Sequence, residues 1–221
     1  MTSVFLVGAH GKVGRLLVPK LINQGLTVSA GLRDLAQASV LPDSPLVIPQ
    51  HFDLTALPET IAHQFKQSGA DTIVFSAGSG GNTGDDQTLI VDLDGGAIKT
   101  MEAAQVAGIT RYIMVSSAAS NQRELWDKTG IKPYMIAKYY ADKALIQTDL
   151  DYTIVRPGPL TDSQGTGNIK LVSKNAALTD LSIPRDDVAA VIAAIINNRN
   201  TFRKSYTLGG GTISIKDAFK I

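Results

Sequence analysis

The strongest constraint on the fold lies in residues 4–14. A short apolar run over residues 4–7 leads directly into three glycines, Gly8, Gly11 and Gly14, and an amphipathic stretch follows over residues 16–21. This order predicts a buried strand, a glycine-rich turn and a helix, which together present backbone N–H groups and a helix N-terminus to a pyrophosphate. In such a turn Gly8 allows the tight bend, Gly11 admits the phosphates to the backbone, and Gly14 lets the helix pack closely on the sheet. We therefore expect a nucleotide cofactor at this turn.

The other residues of the turn belong to the same predicted cofactor site. His10, Lys12 and Val13 lie between the glycines, in the pattern G-x-x-G-x-x-G. This turn is one residue longer than the dinucleotide fingerprint G-x-G-x-x-G. The pattern alone is a weak signal, and its position between a strand and a helix is what gives it weight.

Composition bounds the class of protein. The chain has 221 residues, of which 44% are hydrophobic and 19% charged, as expected for one compact α/β domain over residues 1–221 with small C-terminal substrate-side elements. The net charge is +1 and no basic cluster occurs, so we expect no nucleic-acid partner and no anionic membrane. The chain has no cysteine and three scattered histidines, so we expect no metal site.

Targeting signals are also absent from the sequence. No apolar run reaches the roughly 18 residues of a membrane-spanning helix, and no signal-peptide pattern precedes the first strand. We expect a cytoplasmic protein, monomeric or homodimeric, whose partner is a small-molecule substrate.

Strand and helix patterns alternate along the chain. Short β-rich runs occur at residues 4–7, 27–32, 46–51, 72–76, 112–116, 152–155 and 205–208, and helical patterns occur at 12–24, 58–67, 89–107, 134–147 and 185–197. This alternation predicts a single Rossmann-type doubly wound parallel sheet with helices on both faces. Two loops, at residues 78–84 and 161–174, would leave the carboxyl edge of that sheet, where ligands bind. They are either ligand-contacting segments or flexible connections.

Arg33 and Asp34 follow the second predicted strand, about where a dinucleotide fold reads the adenosine ribose. Arg33 would pair with a 2′-phosphate, and Lys12 would add positive charge nearby, so we expect NADP(H) to be preferred and NAD(H) to be possible. If Asp34 instead faced the ribose, the preference would reverse. The alternative for both cations is a solvated position at the protein surface.

Further cofactor contacts are expected where the third, fourth and sixth strands end. Asp53 could accept a hydrogen bond from the adenine amino group while Leu54 packs on the ring, although Asp53 could equally cap the following helix. Ser76, Ala77 and Gly78 are small enough to let the cofactor lie against the backbone. The sixth predicted strand ends next to Pro157 and Gly158, at the same edge of the sheet.

Tyr134 and Lys138 are the candidate catalytic pair. At spacing i, i+4 they project from one face of a helix. An adjacent ammonium favours the phenolate, so Lys138 would lower the pKa of Tyr134 toward neutral pH, and it could also bind ribose hydroxyls. A solvated helix pair, or aromatic packing with Tyr139 and Tyr140, is the alternative.

A predicted buried strand ends in Ser116 and Ser117 at the same edge of the sheet. A serine there could stabilise charge that develops on a substrate carbonyl oxygen. The alternative is that both serines satisfy local backbone groups.

The chain resembles the short-chain dehydrogenase/reductase superfamily, and most closely its atypical branch of NAD(P)-binding proteins related to NmrA and to biliverdin/flavin reductases. The matching motifs are Gly8-Ala9-His10-Gly11-Lys12-Val13-Gly14, Arg33-Asp34, Asp92-Leu93-Asp94-Gly95, the run from Ala103-Ala104 through Gly108-Ile109 and Arg111-Tyr112 to Ser116-Ser117, Tyr152-Thr153-Ile154-Val155-Arg156-Pro157-Gly158, and Ile183-Pro184-Arg185-Asp186-Asp187-Val188-Ala189.

The resemblance implies roles for individual residues. Tyr134 would be the proton donor or acceptor, Lys138 its activator and ribose ligand, and Ser117, rather than Ser116, the hydroxyl that orients the carbonyl. Pro157 and Gly158 would border the nicotinamide.

Two departures from the family pattern bear on function. Asp92 stands where many relatives have Asn at the start of the fourth helix, and we expect no larger C-terminal domain of the kind found in relatives that act on nucleotide sugars. We expect an NADP(H)-dependent oxidoreductase acting on a small carbonyl, quinone-like or flavin-like acceptor. The alternative is a non-catalytic NADP(H)-binding redox sensor.

Overall fold

The computed structural model describes residues 2–80, 83–173 and 178–219. Its strands are β1 (Ser3–Val7), β2 (Thr27–Leu32), β3 (Val47–His51), β4 (Thr72–Phe75), β5 (Arg111–Val115), β6 (Asp151–Pro157), β7 (Leu160–Thr161), β8 (Asn168–Val172), β9 (Ile183–Pro184), β10 (Lys204–Gly210) and β11 (Ile213–Ser214).

The helices of the described ranges alternate with these strands. They are α1 (Lys12–Ile22), α2 (Pro58–Ser68), α3 (Asp85–Thr88), α4 (Lys99–Ala107), α5 (Lys132–Ile146), α6 (Arg185–Ile195) and α7 (Ile215–Ala218). A π-helical segment, Leu89–Ile98, joins α3 to α4, and short 3₁₀ helices occupy Leu35–Val40, Arg123–Lys128 and Arg199–Thr201.

The main sheet has the strand order β11-β8-β10-β6-β5-β4-β1-β2-β3. The seven strands from β10 to β3 pair in parallel, and β8 and β11 extend the β10 edge with antiparallel pairing. Strand order reverses between β1 and β4, and a doubly wound sheet places its ligand crevice beyond the carboxyl ends of the strands at such a point. The predicted α/β Rossmann-type fold is confirmed.

Helices cover both faces of the sheet. On one face, α1 and α6 contribute Leu17, Leu21 and Ile192 to the core. On the other face, α2, α4 and α5 contribute residues that include Phe65 and Met101. Because both faces are covered, the central strands are largely buried, and β4 is buried at every position.

Two regions differ from the pattern expected from sequence. The helix expected at residues 89–107 begins earlier, at Asp85, and its middle is π-helical, so Asp92 lies inside the helix and does not open it. The loop expected at 161–174 contains β8, a five-residue strand between β10 and β11 in which only Ile169 is buried. A strand this short and this exposed gives only a weak signal in the sequence, and both of its partners come later in the chain. Residues 81–82 and 174 of the two expected loops, and the expected domain limits at residues 1 and 221, lie outside the described residues.

Candidate functional site

The glycine turn has the geometry of a phosphate-binding turn. Gly8 adopts a positive φ of 88°, and a Cβ added there would lie 2.7 Å from the backbone nitrogen of Ala77. A Cβ added at Gly14 would lie 2.8 Å from the carbonyl oxygen of Ala9. Gly11 is the N-cap of α1 and has no side chain to cap it. The first N–H groups of α1 therefore remain available to an anionic ligand.

A cleft of about 410 Å³ opens beside this turn, beyond the carboxyl ends of β1 to β4. It brings together nine of the residues predicted to bind the cofactor. These are Gly8, His10, Gly11, Arg33, Asp53, Leu54, Ser76, Ala77 and Gly78.

Arg33 and Asp34, which follow β2, differ in the contacts that their side chains make. The carboxylate of Asp34 accepts a hydrogen bond from the backbone nitrogen of Ala36 at 2.9 Å, which caps the 3₁₀ helix Leu35–Val40. Asp34 is therefore turned back onto its own chain. Arg33 is exposed and lines the cleft, and no carboxylate of the described ranges forms an ion pair with it. Of these two residues, Arg33 lines the cleft and Asp34 does not.

The side chains of Lys12 and Val13 do not line the cleft. The ammonium of Lys12 lies 2.7 Å from Oδ2 of Asp162, while Oδ1 of the same carboxylate lies 2.6 Å from Arg185. Lys12 pairs with this carboxylate outside the cleft. The positive charge of Lys12 therefore does not add to that of Arg33 in this conformation. The side chain of Val13 is 8% exposed and belongs to the core, so only its backbone could contact a cofactor.

Asp53 fixes a turn and also lines the cleft. Its Oδ1 accepts hydrogen bonds from the backbone nitrogen of Thr55 at 2.8 Å and from the Thr55 hydroxyl at 2.7 Å, and these bonds lower the pKa of Asp53. Helix α2 begins later, at Pro58, with Leu57 as its N-cap. The expected alternative, that Asp53 caps this helix, is therefore wrong.

A second cavity, of about 540 Å³, lies beyond β5 and β6. Among its lining residues are Ser116, Ser117, Tyr134, Pro157 and Gly158, so Pro157 and Gly158 lie at this cavity and do not line the cleft. Most of the remaining wall is apolar, with Lys128 and Arg185 as its cations. The apolar wall includes Leu125, Ile131, Met135, Leu160, Leu178 and Leu181.

Lys138 is buried beneath Tyr134. It is 2% exposed, and its Nζ lies 5.5 Å from the centroid of the Tyr134 ring. The same Nζ lies 3.0 Å from Oδ1 of Asp92, which is completely buried, and it donates to the carbonyl oxygen of Val115 at 3.3 Å. Lys138 lines neither the cleft nor the cavity. In this structure its ammonium is therefore not positioned for the expected contact with ribose hydroxyls.

The pKa of Tyr134 is raised, contrary to the expected lowering. Burial is the largest cause, and Asp92 and Asp142 also raise this pKa, while Lys138 lowers it. Burial lowers the pKa of Lys138, but Tyr134 and Asp92 raise it and the net shift is upward. Lys138 is therefore a charged ammonium and Tyr134 a protonated phenol at neutral pH.

The two serines differ in their surroundings. Ser116 is 3% exposed, and its hydroxyl donates to Ser120 at 3.5 Å, at the limit of a hydrogen bond. Ser120 in turn donates to Oδ2 of Asp142 at 3.1 Å. Ser117 is partly exposed at the cavity, where its hydroxyl can reach a ligand.

Two buried carboxylates near Tyr134 are missing from the set of site residues predicted from sequence. The family pattern marks Asp92 only as a departure, and no motif singles out Asp142. Asp142 lies one helical turn beyond Lys138 on α5, so the i, i+4 rule that pairs Tyr134 with Lys138 could have found it. No sequence pattern marks the depth at which Asp92 lies.

Membrane spans and metal centres are both lacking from the part of the chain that the structure describes. No helix there has both the length and the apolar character needed to cross a bilayer. No group of three or more His, Asp or Glu side chains there could hold a metal ion.

The strand order, the glycine turn and the cleft together define the class of Rossmann-fold nucleotide-binding proteins. The chain belongs to the NAD(P)H-binding protein family, whose sequence model matches residues 8–199.

Relatives that match this chain along nearly their whole length support this assignment. The chain is 42% identical over 224 residues to a Bacillus subtilis protein named "Uncharacterized sugar epimerase YhfK", covering 99% of each chain. It is 35% identical to the Saccharomyces cerevisiae protein "UPF0659 protein YMR090W", covering 95% of this chain and 93% of that one. The crystal structure of the oxidoreductase ylbE from Lactococcus lactis superposes with a TM-score of 0.88 at 35% identity, covering 99% of this chain and 95% of that one.

Proposed function

We propose that this protein is an NADP(H)-dependent reductase of a small carbonyl, quinone-like or flavin-like acceptor. The observation that carries the proposal is that Tyr134 and Ser117 line one largely apolar cavity. This cavity follows β5 and β6, whereas the cleft follows β1 to β4. Since β4 and β5 are neighbours in the sheet, the cleft and the cavity adjoin along one edge.

The residues of the cleft fit the cofactor. The first-turn N–H groups of α1 would bind the pyrophosphate, and the lack of a Cβ at Gly8 keeps the turn close to Ala77. The exposed guanidinium of Arg33 would bind the 2′-phosphate, which is the basis for preferring NADP(H). When bound, the reduced cofactor would supply a hydride to the acceptor.

Tyr134 would donate the proton that reduction of a carbonyl requires. Its raised pKa keeps the phenol protonated at neutral pH, so the proton is available to the oxygen on which negative charge develops. Ser117, on the wall of the same cavity, would donate a hydrogen bond to that oxygen.

The protonated phenol favours reduction over the epimerisation that the name of the Bacillus subtilis relative suggests. Epimerisation through a transient ketone would begin with removal of a proton from a substrate hydroxyl. That step needs a phenolate, and burial opposes ionisation of Tyr134.

The test is turnover by purified protein with NADPH and a panel of quinones, aldehydes and flavins, followed as loss of NADPH absorbance. Tyr134→Phe should lower the rate by at least about 10²-fold. The matched control is Tyr140→Phe on the same helix, since Tyr140 is 47% exposed and lines neither the cleft nor the cavity. Unchanged turnover in Tyr134→Phe would remove this residue from the mechanism. Tight NADPH binding without turnover of any acceptor would overturn the proposed reductase activity and would favour a non-catalytic regulator that binds the cofactor.

A further inference from the structure

The ion pair beneath Tyr134 is the most completely buried pair of opposite charges in the described chain. Asp92 has no exposed surface and Lys138 has 2%, and 3.0 Å separates the carboxylate oxygen Oδ1 from Nζ. At such depth the attraction between two charges is weakly screened. The electrostatic effect of Lys138 on neighbouring groups therefore depends on the charge of Asp92 as well.

Lys138 is engaged on sides other than that of the phenol. Its ammonium contacts Asp92, donates to the carbonyl oxygen of Val115 and lies 5.7 Å from the centroid of the Phe75 ring. In the described part of the chain no hydrogen bond joins Nζ to the hydroxyl of Tyr134. The carboxylate that pairs with the ammonium is thus that of Asp92.

We propose that Asp92 is a positioning residue that offsets part of the charge of Lys138 at Tyr134 and so helps to keep Tyr134 a proton donor. This charge offset is a property of the folded chain alone. Its catalytic meaning rests on the proposed reductase function, in which the phenol must arrive protonated.

The other charges around Tyr134 are either paired or exposed to solvent. Asp142 lies on α5 with Tyr134, and its Oδ2 is 2.7 Å from Nε of Arg156 on β6. Two cations share the cavity wall with Tyr134, namely Arg185, which pairs with Asp162, and Lys128, which is exposed. Removal of Asp92 would therefore leave Lys138 as the one buried unpaired cation among these groups.

Asp92→Asn isolates the charge. The other carboxylate oxygen, Oδ2, accepts a hydrogen bond from the backbone nitrogen of Ser79 at 3.0 Å, and the amide oxygen of asparagine can accept the same bond. The substitution removes the negative charge while it preserves the shape and this contact. In the variant, the phenolate of Tyr134 becomes the remaining anion that can pair with Lys138.

The experiment is an ultraviolet titration of tyrosinate without cofactor or acceptor. Subtracting the curve of each variant's Tyr134→Phe counterpart isolates Tyr134 from the other tyrosines. In Asp92→Asn the midpoint of Tyr134 should fall by at least about 1 pH unit, the shift expected from an unpaired opposite charge nearby. The matched control is Asp94→Asn, since Asp94 is 72% exposed on the same π-helical segment, and it should leave the midpoint unchanged.

A double variant separates charge from structure. In Asp92→Asn combined with Lys138→Met both charges are gone, and the midpoint of Tyr134 should return at least to its wild-type value. An unmoved midpoint in Asp92→Asn would overturn the proposal. A lowered midpoint that persists in the double variant would also overturn it, because the shift would not come from Lys138.

The titration needs no turnover, so it remains decisive if the chain reduces none of the acceptors tested. Where turnover is found, reduction by Asp92→Asn should begin to fall at lower pH than reduction by the wild-type protein. A pH profile identical to that of the wild type would contradict the catalytic part of the proposal while leaving the reductase function intact.

Discussion

The Nε atom of Arg156 lies 2.7 Å from Oδ2 of Asp142, deep behind the cavity, and both side chains are almost completely buried. Ser120 donates a further hydrogen bond to the same carboxylate oxygen. This pair joins β6 to α5, the helix that carries Tyr134. It therefore fixes the position of the candidate proton donor relative to the sheet.

Replacement of Arg156 by methionine should destabilise the fold. The substitution leaves the buried carboxylate of Asp142 without a counter-charge, and breaking a buried pair in this way costs about 3–5 kcal/mol. The free energy of unfolding in urea measures the loss. Lys132→Met is the control, since Lys132 pairs with Asp127 at the surface, where the side chains are 52% and 79% exposed, and it should change stability little. Equal losses in the two variants would contradict this account.

Arg33→Ala should weaken binding of NADPH much more than binding of NADH. A hydrogen-bonded charge pair with the 2′-phosphate is worth about 1.5–3 kcal/mol, so we expect NADPH affinity to fall by roughly 10- to 100-fold. Calorimetry with each dinucleotide provides the measurement. Lys66→Ala removes an exposed cation of α2 that lines neither the cleft nor the cavity, and it should affect neither cofactor. If Arg33→Ala weakened both dinucleotides equally, Arg33 would not recognise the 2′-phosphate.

Gly8→Ala should disrupt the glycine turn by collision as well as by backbone strain. Gly8 and Gly69 both have positive φ, of 88° and 65°, so alanine at either position bears the roughly 1–2 kcal/mol cost of the left-handed region. Only at Gly8 would the new Cβ meet the backbone of Ala77, because nothing lies within 4 Å at Gly69. Gly8→Ala should therefore lose more stability and also weaken NADPH binding. Matching losses in urea, with NADPH binding intact, would show that the turn tolerates a Cβ.

The rate of reduction should stay level from neutral pH past the ordinary tyrosine pKa of about 10. The pKa of Tyr134 is raised, chiefly by burial, and an acid is available below its pKa and lost above it. Activity should therefore fall only as the pH rises through the raised value. The measurement is kcat against pH with both substrates saturating. A decline near neutral pH that Tyr134→Phe abolishes would mean that the phenol ionises easily.

The parts of the site that sequence could predict are those set by local pattern. The glycine turn requires adjacent residues only, and the alternation of strand and helix fixes which side chains reach the carboxyl edge of the sheet. Sequence alone could therefore place Arg33, Ser117 and Tyr134 near a cleft or cavity at that edge. Their roles in binding and catalysis stay predictions.

The parts that sequence could not predict depend on contacts between distant segments. Lys12 pairs with Asp162, which is 150 positions further along the chain, so no local pattern indicates where its ammonium lies. Asp34 could have faced the ribose, and only the backbone path into the 3₁₀ helix turns it onto Ala36. The pKa of Tyr134 moves in the direction opposite to the expected one because Tyr134 is itself buried and Lys138 is paired with Asp92, and sequence reveals neither fact.

The division of the carboxyl edge has a consequence for how the family can diversify. Among the described residues, those that line the cleft lie between positions 7 and 91, and those that line the cavity lie between positions 116 and 185. Under the proposed function, substitutions in the later part of the chain would therefore change which acceptor the cavity admits, while the residues that line the cofactor cleft stay the same. Acceptor specificity and cofactor binding would then vary independently among proteins with this arrangement.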